Sequence, residues 1–222
     1  MRTSRPRIKI CCIQSVEEAQ MAVACGASAV GLVSEMPSGP GVIAEAEIAR
    51  IAAVGPPGVA SFLLTCKQDV ASIIAQQKRV GTNTLQLCDR LLEGTHADLR
   101  AALPGIALVQ VIQVTGPDAL EEAALIAPHV HALLLDSGNQ NLAVKELGGT
   151  GRVHDWEISR QICRTVSVPV FLAGGLKPEN VAHAVRQVQP YGLDVCSGVR
   201  AEGRLDRRKL ERFFEAVHAL AE

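Results

Sequence analysis

The sequence predicts an α/β protein built as one (β/α)8 TIM barrel over residues 1–222. Eight apolar, β-branched runs recur along the chain, each followed by a stretch with helical spacing of its apolar residues. The starts of these runs are 21 to 29 residues apart, with one 37-residue step. Aromatic residues make up only 3% of the chain, so Val, Leu, Ile and Ala must fill the core, as they do where parallel strands are buried on both faces. No GxGxxG follows the first run, which disfavours the alternative of an open doubly wound sheet.

The elements follow in order. IKICCI (8–13) is the first strand, and VEEAQMAVACG is the first helix, stopped by Gly26. AVGLVS (29–34) and GVASFLL (58–64) are the next strands, and Asp69 caps the helix DVASIIAQQKRVG. TLQLC (84–88), ALVQVIQV (107–114) and HALLLDS (131–137) continue the series. The 37-residue step then contains SGNQNLAVKELGGTGRVH, and a loop this long and Gly-rich is usually functional. VPVFLAGG (168–175) leads into PENVAHAVRQV, with Pro178 in its first turn. GLDVCSGV (192–199) is the eighth strand, and DRRKLERFFEAVHALAE closes the chain.

Composition narrows the function. Lys plus Arg total 22 against 23 Asp plus Glu, a net charge of -1, so no global field recruits nucleic acid or an anionic membrane. Scarce aromatics also exclude stacking platforms for single strands. The expected partner is a small molecule, and no apolar stripe separates a monomer from a homodimer. Seven Cys without CxxC spacing suit a reducing compartment, and the basic opening MRTSRPR lacks the apolar run of a secretory leader. No stretch approaches the roughly 20 apolar residues of a membrane span. These features place the protein in the cytoplasm.

In such a barrel the chemistry sits at the carboxyl ends of the strands. Asp136 follows three leucines there, and partial desolvation would raise its pKa and suit it to general-acid work. Its competing role is a helix cap or a loop ion pair. Cys11 ends the first strand, and a thiol becomes a proton acceptor when a cation stands beside it; Lys9 shares its face. The competing role for Cys11 is that of a small buried residue. GGTG (148–151), AGG (173–175) and CSG (196–198) follow the last three strands, where backbone amides commonly hold phosphate. Cys11, Cys12, Cys66, Cys88 and Cys196 all fall at strand ends, but without paired spacing or a nearby His they predict no metal site. A vicinal Cys11–Cys12 disulfide is not expected either. His154 lies beside the GGTG segment, and no His is assigned a catalytic role.

These residues resemble those of the phosphoribosylanthranilate isomerases of tryptophan biosynthesis over nearly the whole chain. The resemblance rests on KIC (9–11), LQL (85–87), LLLDS (133–137), GGTG followed by DW (155–156), LAGGLKPENV (172–181) and DVCSGV (194–199). It implies an Amadori rearrangement of an aminoaldose phosphate, needing no cofactor and no metal. Asp136 would be the general acid at the ring oxygen and Cys11 the general base at the adjacent sugar carbon. Gly149, Gly174, Gly175, Ser197 and Gly198 would hold the phosphate, and Lys9, Cys12, Gly41, Gln86 and Cys88 would line the substrate pocket.

The chain also departs from the family. Where the family has a segment like SPRYV, whose Arg is expected to grip the anthranilate carboxylate, this chain has SGPGVI (38–43) with Gly41 nearest that place. Such a charge-assisted bond is worth roughly 1.5–3 kcal/mol, about ten- to a hundredfold in affinity. Lys67, Arg90 and Arg152 are the candidate substitutes. KICC replaces KICG, QLC replaces QLH and CSG replaces SSG. If the turn after Cys11 needs a positive φ, Cys12 costs about 1 kcal/mol or more. Two other readings stay open: an isomerase of a different phosphorylated amino sugar, and a non-catalytic barrel that binds a phosphorylated metabolite.

Overall fold

The computed structural model describes residues 5–139, 141–149 and 151–221; Thr150 of the GGTG segment, Gln140 and the first four residues of the basic opening lie outside them. Eight parallel strands close a barrel in chain order: β1 (Arg7–Ile10), β2 (Ala29–Val33), β3 (Ala60–Thr65), β4 (Thr84–Leu87), β5 (Ala107–Gln113), β6 (Ala132–Asp136), β7 (Val170–Leu172) and β8 (Gly192–Val195). β1 pairs with β8, Ile8 opposite Leu193 and Ile10 opposite Val195, and this closure excludes the open sheet. The helices between the strands are α1 (Val16–Ala24), α2 (Glu45–Val54), α3 (Val70–Val80), α4 (His96–Ala102), α5 (Asp118–Ile126), α6 (Trp156–Thr165), α7 (Val181–Val188) and α8 (Arg207–His218). A short antiparallel ribbon, β9 (Arg200–Ala201) with β10 (Arg204–Leu205), precedes α8.

Period two along each strand sorts its side chains between two cores. Ile8 and Ile10 of β1, Leu85 and Leu87 of β4, Leu133 and Leu135 of β6, and Leu193 and Val195 of β8 pack outward in the large cluster shared with the helices. Phe62, Leu64, Val109, Val111, Ala132, Leu134 and Phe171 fill the barrel interior with Cys11 and Cys88. The same alternation therefore turns Lys9, Gln86, Asp136 and Asp194 inward. Polar residues inside an apolar barrel are what the fold presents to a ligand.

Side-chain caps start most of the helices. Asp69 accepts from the Ser72 amide at 2.7 Å, as expected from the sequence, and Thr95 with Asp98 forms a reciprocal capping box. One expectation is corrected: Pro178 lies before α7, not in its first turn. Asn180 accepts from the Lys177 amide at 2.9 Å and donates to the Gly175 carbonyl at 2.9 Å, so residues 177–180 are held as a turn and the helix starts at Val181. Strands also end earlier than the apolar runs. β1 stops at Ile10 because the chain turns at Cys12, whose φ is +60°, and residues 197–199 of the last run form a 3-10 turn.

Candidate active site

Cys11 and Asp136 stand on inward faces at the carboxyl ends of β1 and β6, lining one cleft of about 670 Å³. Gly149, Gly174, Gly175 and Ser197 line the same cleft, as do Cys12, Gln86 and Cys88. Nine of the residues singled out in the sequence thus meet in one place.

Three others are placed differently. Lys9 is wholly buried beneath the cleft, reaching it through Asp194 and through Cys11, to whose sulfur its Nζ donates at 3.5 Å. Gly31 of β2 makes this possible, because a Cβ there would stand 2.9 Å from Cys11 Sγ and 3.0 Å from Lys9 Nζ. Gly198 sits behind the cleft wall, where a Cβ would press to within 1.9 Å of the Leu176 carbonyl oxygen. Gly41 lies against Cys12 and leaves the lining to Gly39 and Pro40.

Burial pushes the Asp136 carboxyl up to about 6 against the pull of the Ser137 amide, which donates to its Oδ1 at 2.7 Å. The Asp194 carboxylate adds to the rise and the Lys9 ammonium opposes it. The sequence expected this desolvation, and the side chain is 8% exposed.

Sequence reasoning missed Asp194. Its Oδ1 lies 2.9 Å from Lys9 Nζ, which also stands 5.1 Å over the Phe62 ring. Burial alone would push the Lys9 ammonium down, but Asp194, with Cys11 and Cys12, outweighs it and holds Lys9 above its usual range. The signal was present: the acid in the apolar GLDV and the inward-facing base of RIKI, Lys9, must each find a partner inside the barrel. Arg200 was missed too. It pairs with Glu18 at 2.9 Å and donates to the Cys12 carbonyl, pinning the turn that carries Cys11.

The walls of the cleft differ from what the resemblance implies. Among the described residues no Arg and no Lys lines it. Of the three candidate cations, Arg90 pairs with Glu122 at 3.3 Å on the outside of the barrel, Arg152 pairs with Glu146, and Lys67 lines a neighbouring depression with Asp89 and Lys145. Cys12 adopts the left-handed conformation that the family's glycine suggested, at the cost of strain. Its Cβ stands 2.4 Å from where a Cβ on Gly41 would be. Cys12 and Gly41 therefore constrain each other directly.

His154 is half-buried beside the Gly-rich loop, with Nε2 2.7 Å from Ser159 Oγ, and burial lowers its imidazole to about 4. Cys66 lines the neighbouring depression rather than the cleft. Among the described residues no group of three or more His, Cys, Asp or Glu side chains is arranged to hold a metal ion. No described helix is long and apolar enough to cross a membrane.

The comparisons with known proteins agree with this geometry. A profile of the N-(5'-phosphoribosyl)anthranilate isomerase family matches residues 8–216. N-(5'-phosphoribosyl)anthranilate isomerase 2 of Methanosarcina mazei is 37% identical over 209 residues, covering 93% of this chain and 92% of that protein. The isomerase of Haloferax volcanii is 36% identical over 212 residues, covering 95% and 92%. The crystal structure of phosphoribosyl anthranilate isomerase from Thermotoga maritima superposes with a TM-score of 0.80 at 28% identity, covering 96% of this chain and 99% of that one. A phosphoribosyl anthranilate isomerase in complex with reduced 1-(o-carboxyphenylamino)-1-deoxyribulose 5-phosphate superposes with a TM-score of 0.78 at 26% identity, with coverage of 96% and 99%. With its closed barrel and its KIC and LLLDS segments gathered at one end with Gly148, Gly149 and Gly151, the chain belongs to the N-(5'-phosphoribosyl)anthranilate isomerase family.

Proposed function

We propose that this chain isomerises N-(5'-phosphoribosyl)anthranilate to 1-(o-carboxyphenylamino)-1-deoxyribulose 5-phosphate, with Asp136 as general acid and Cys11 as general base. The observation that carries the reading is the placement of these two side chains on inward faces of β6 and β1 in one cleft, the carboxyl with a pKa of about 6. A general acid works best with a pKa near the operating pH. Asp136 gives its proton to the furanose ring oxygen as the bond from that oxygen to the anomeric carbon breaks. The nitrogen lone pair closes a C=N bond, leaving a Schiff base. Cys11 removes the proton from the adjacent carbon, the electrons run to nitrogen, and the resulting enolamine tautomerises to the ketose. Lys9, donating to Cys11 and held by Asp194, positions the sulfur.

Gly149, Gly174, Gly175 and Ser197 present backbone amides and one hydroxyl to the sugar phosphate, and Gly198 supports their turn from behind. Backbone amides suit a cleft with no lysine or arginine on its walls. The reaction as written needs neither cofactor nor metal. The seven unpaired thiols suit a reducing cytoplasm.

The test is loss of anthranilate-type fluorescence when purified protein meets freshly prepared phosphoribosylanthranilate, with Asp136→Asn as control. We expect turnover in the wild type and a loss of a hundredfold or more in the variant, within the range that general acid–base catalysis supplies. Equal turnover in a folded Asp136→Asn protein removes Asp136 from the mechanism. The cation-free cleft wall favours a second reading, a phosphorylated aminoaldose without the carboxylate. No turnover of phosphoribosylanthranilate, with turnover of an uncharged N-aryl ribosylamine phosphate, would select it.

A further inference from the structure

Two of this chain's departures from the family lie side by side. Cys12 follows β1 and Cys196 follows β8, strands that are hydrogen-bonded neighbours, with the Cys11 amide donating to the Val195 carbonyl at 2.8 Å. Their sulfurs are 2.7 Å apart. Non-bonded heavy atoms settle at roughly 3.5–4 Å, and a covalent disulfide measures about 2.05 Å, so the pair is already inside packing distance. Both thiols line the cleft, and Cys196 is half-buried next to the exposed Ser197, within reach of a small solute. Cys12 holds its place at φ +60°, where glycine would be unstrained. The chain tolerates that strain and keeps a thiol facing Cys196.

We infer that Cys12 and Cys196 are an oxidative modification site, a thiol pair that a peroxide closes to a disulfide, arresting turnover until a dithiol reductant reopens it. The thiol chemistry is independent of the isomerase reading; the arrest of turnover rests on it. Cys196 is the attacking sulfur. Its hydrogen-bonded contact with Cys12 holds its thiol below the usual range, with burial opposing and the Arg200 guanidinium assisting. Cys12 is held well above the usual range by its hydrogen bonds to Cys11 and Cys196 and by burial, so it keeps its proton and serves as the resolving thiol.

The Cys196 thiolate attacks one peroxide oxygen, the O–O bond breaks, and the departing hydroxide takes a proton to become water, leaving a sulfenic acid. The Cys12 sulfur then attacks Cys196 Sγ, the S–O bond breaks, and hydroxide leaves as water with the Cys12 proton. The two thiols lose two electrons and the peroxide gains them. Oxidation replaces the contact between the two thiols with a covalent bond that ties the Cys11 turn to the Ser197 turn, both on the walls of the cleft.

The experiment treats the reduced, full-length protein with hydrogen peroxide, blocks free thiols, and digests it with trypsin without reductant. The expected product is a cross-link between the peptides spanning residues 10–50 and 187–200, with a mass loss of two hydrogens. The first peptide also carries Cys11 and Cys25, so variants assign the bond. It persists in Cys11→Ser and disappears in Cys12→Ser and Cys196→Ser. Turnover falls tenfold or more on oxidation and returns with dithiothreitol in the wild type, whereas Cys196→Ser shows no reversible loss. A missing cross-link, or one that survives in Cys12→Ser, overturns the site. A correct cross-link with unchanged turnover overturns the arrest. If the reduced protein does not turn over phosphoribosylanthranilate, the isomerase reading and the arrest fail together, and the cross-link, read by mass alone, still confirms or overturns the thiol pair.

Discussion

Over β6 to β8 the rim of the cleft is made mostly of main chain, from Gly148 and Gly149 through Gly174 and Gly175, with Asp136 and Ser197 as its principal polar side chains. Over β1 to β4 it is made of side chains that touch one another: Cys11 over the buried Lys9, Cys12 against Gly41 and across to Cys196 of the other sector, Gln86 on Cys88. Backbone amides suit an anion common to many substrates, and their positions are fixed by the fold. Interlocking side chains set what else the cleft accepts, and a change in one of them is felt by its neighbour. The two sectors should therefore respond differently to substitution.

The largest difference is expected in stability. Lys9→Met leaves the buried Asp194 carboxylate without its partner, and breaking a buried pair from one side costs about 3–5 kcal/mol. Lys9→Met combined with Asp194→Asn should recover part of that loss. Ser197→Ala in the main-chain sector removes only an exposed hydroxyl and should change stability by about 0.5 kcal/mol or less, while weakening competition by inorganic phosphate. Urea denaturation of the four proteins measures the contrast. A loss below about 1 kcal/mol in Lys9→Met would mean that the side-chain sector is no more interdependent than the other.

The next effect is pH-dependent and belongs to Asp136. Its folded pKa of about 6 lies above the unfolded value near 3.9, so the folded state binds the proton more tightly. The associated stability is fully present below about pH 4 and is lost as pH rises through 6, a change of about 3 kcal/mol. Asp136→Asn removes that dependence, so it should match the wild type near pH 4 and exceed it in stability at pH 7. The kcat/KM of the wild type should fall above about pH 6, as the acid form is depleted. A stability difference that does not change with pH would show that the Asp136 carboxyl is not desolvated. Asp194 faces the same interior, where burial pushes its carboxyl up against the pull of the Lys9 ammonium.

Much of this was legible in the sequence, and unevenly between the sectors. Strand count, order and the inward placement of Asp136 and Cys11 follow from period two and from eight repeats, which are local properties of the chain. The Gly-rich segments announce the main-chain lining of the cleft for the same reason. Asp194 and Arg200 were missed because their partners, Lys9 and Glu18, are 185 and 182 residues away, and only barrel closure brings them together. Gly198 was placed in the wall instead of behind it because its role depends on the Leu176 carbonyl, a contact between two loops. Pro178 misled because Asn180, with its side chain turned back to Gly175, wins the start of α7.

The smallest predicted effect tests the interlock itself. Gly41→Ala places a Cβ 2.4 Å from Cys12 Cβ and 2.9 Å from Cys12 Cα, at a φ of +83° that an L side chain adopts only with strain. In a Cys12→Gly background the Cβ contact disappears, while the strain at residue 41 and the contact with the Cα of residue 12 remain. Cys12→Gly alone relieves a left-handed cysteine and should cost little in stability. The two substitutions together should therefore be less damaging than their sum by about 1 kcal/mol or more, measured as the coupling term of a double-mutant cycle in urea. Strict additivity would mean that residues 38–43 move off β1 freely. The carboxylate end of the cleft would then have been free to keep an arginine, and its loss here would owe nothing to Cys12.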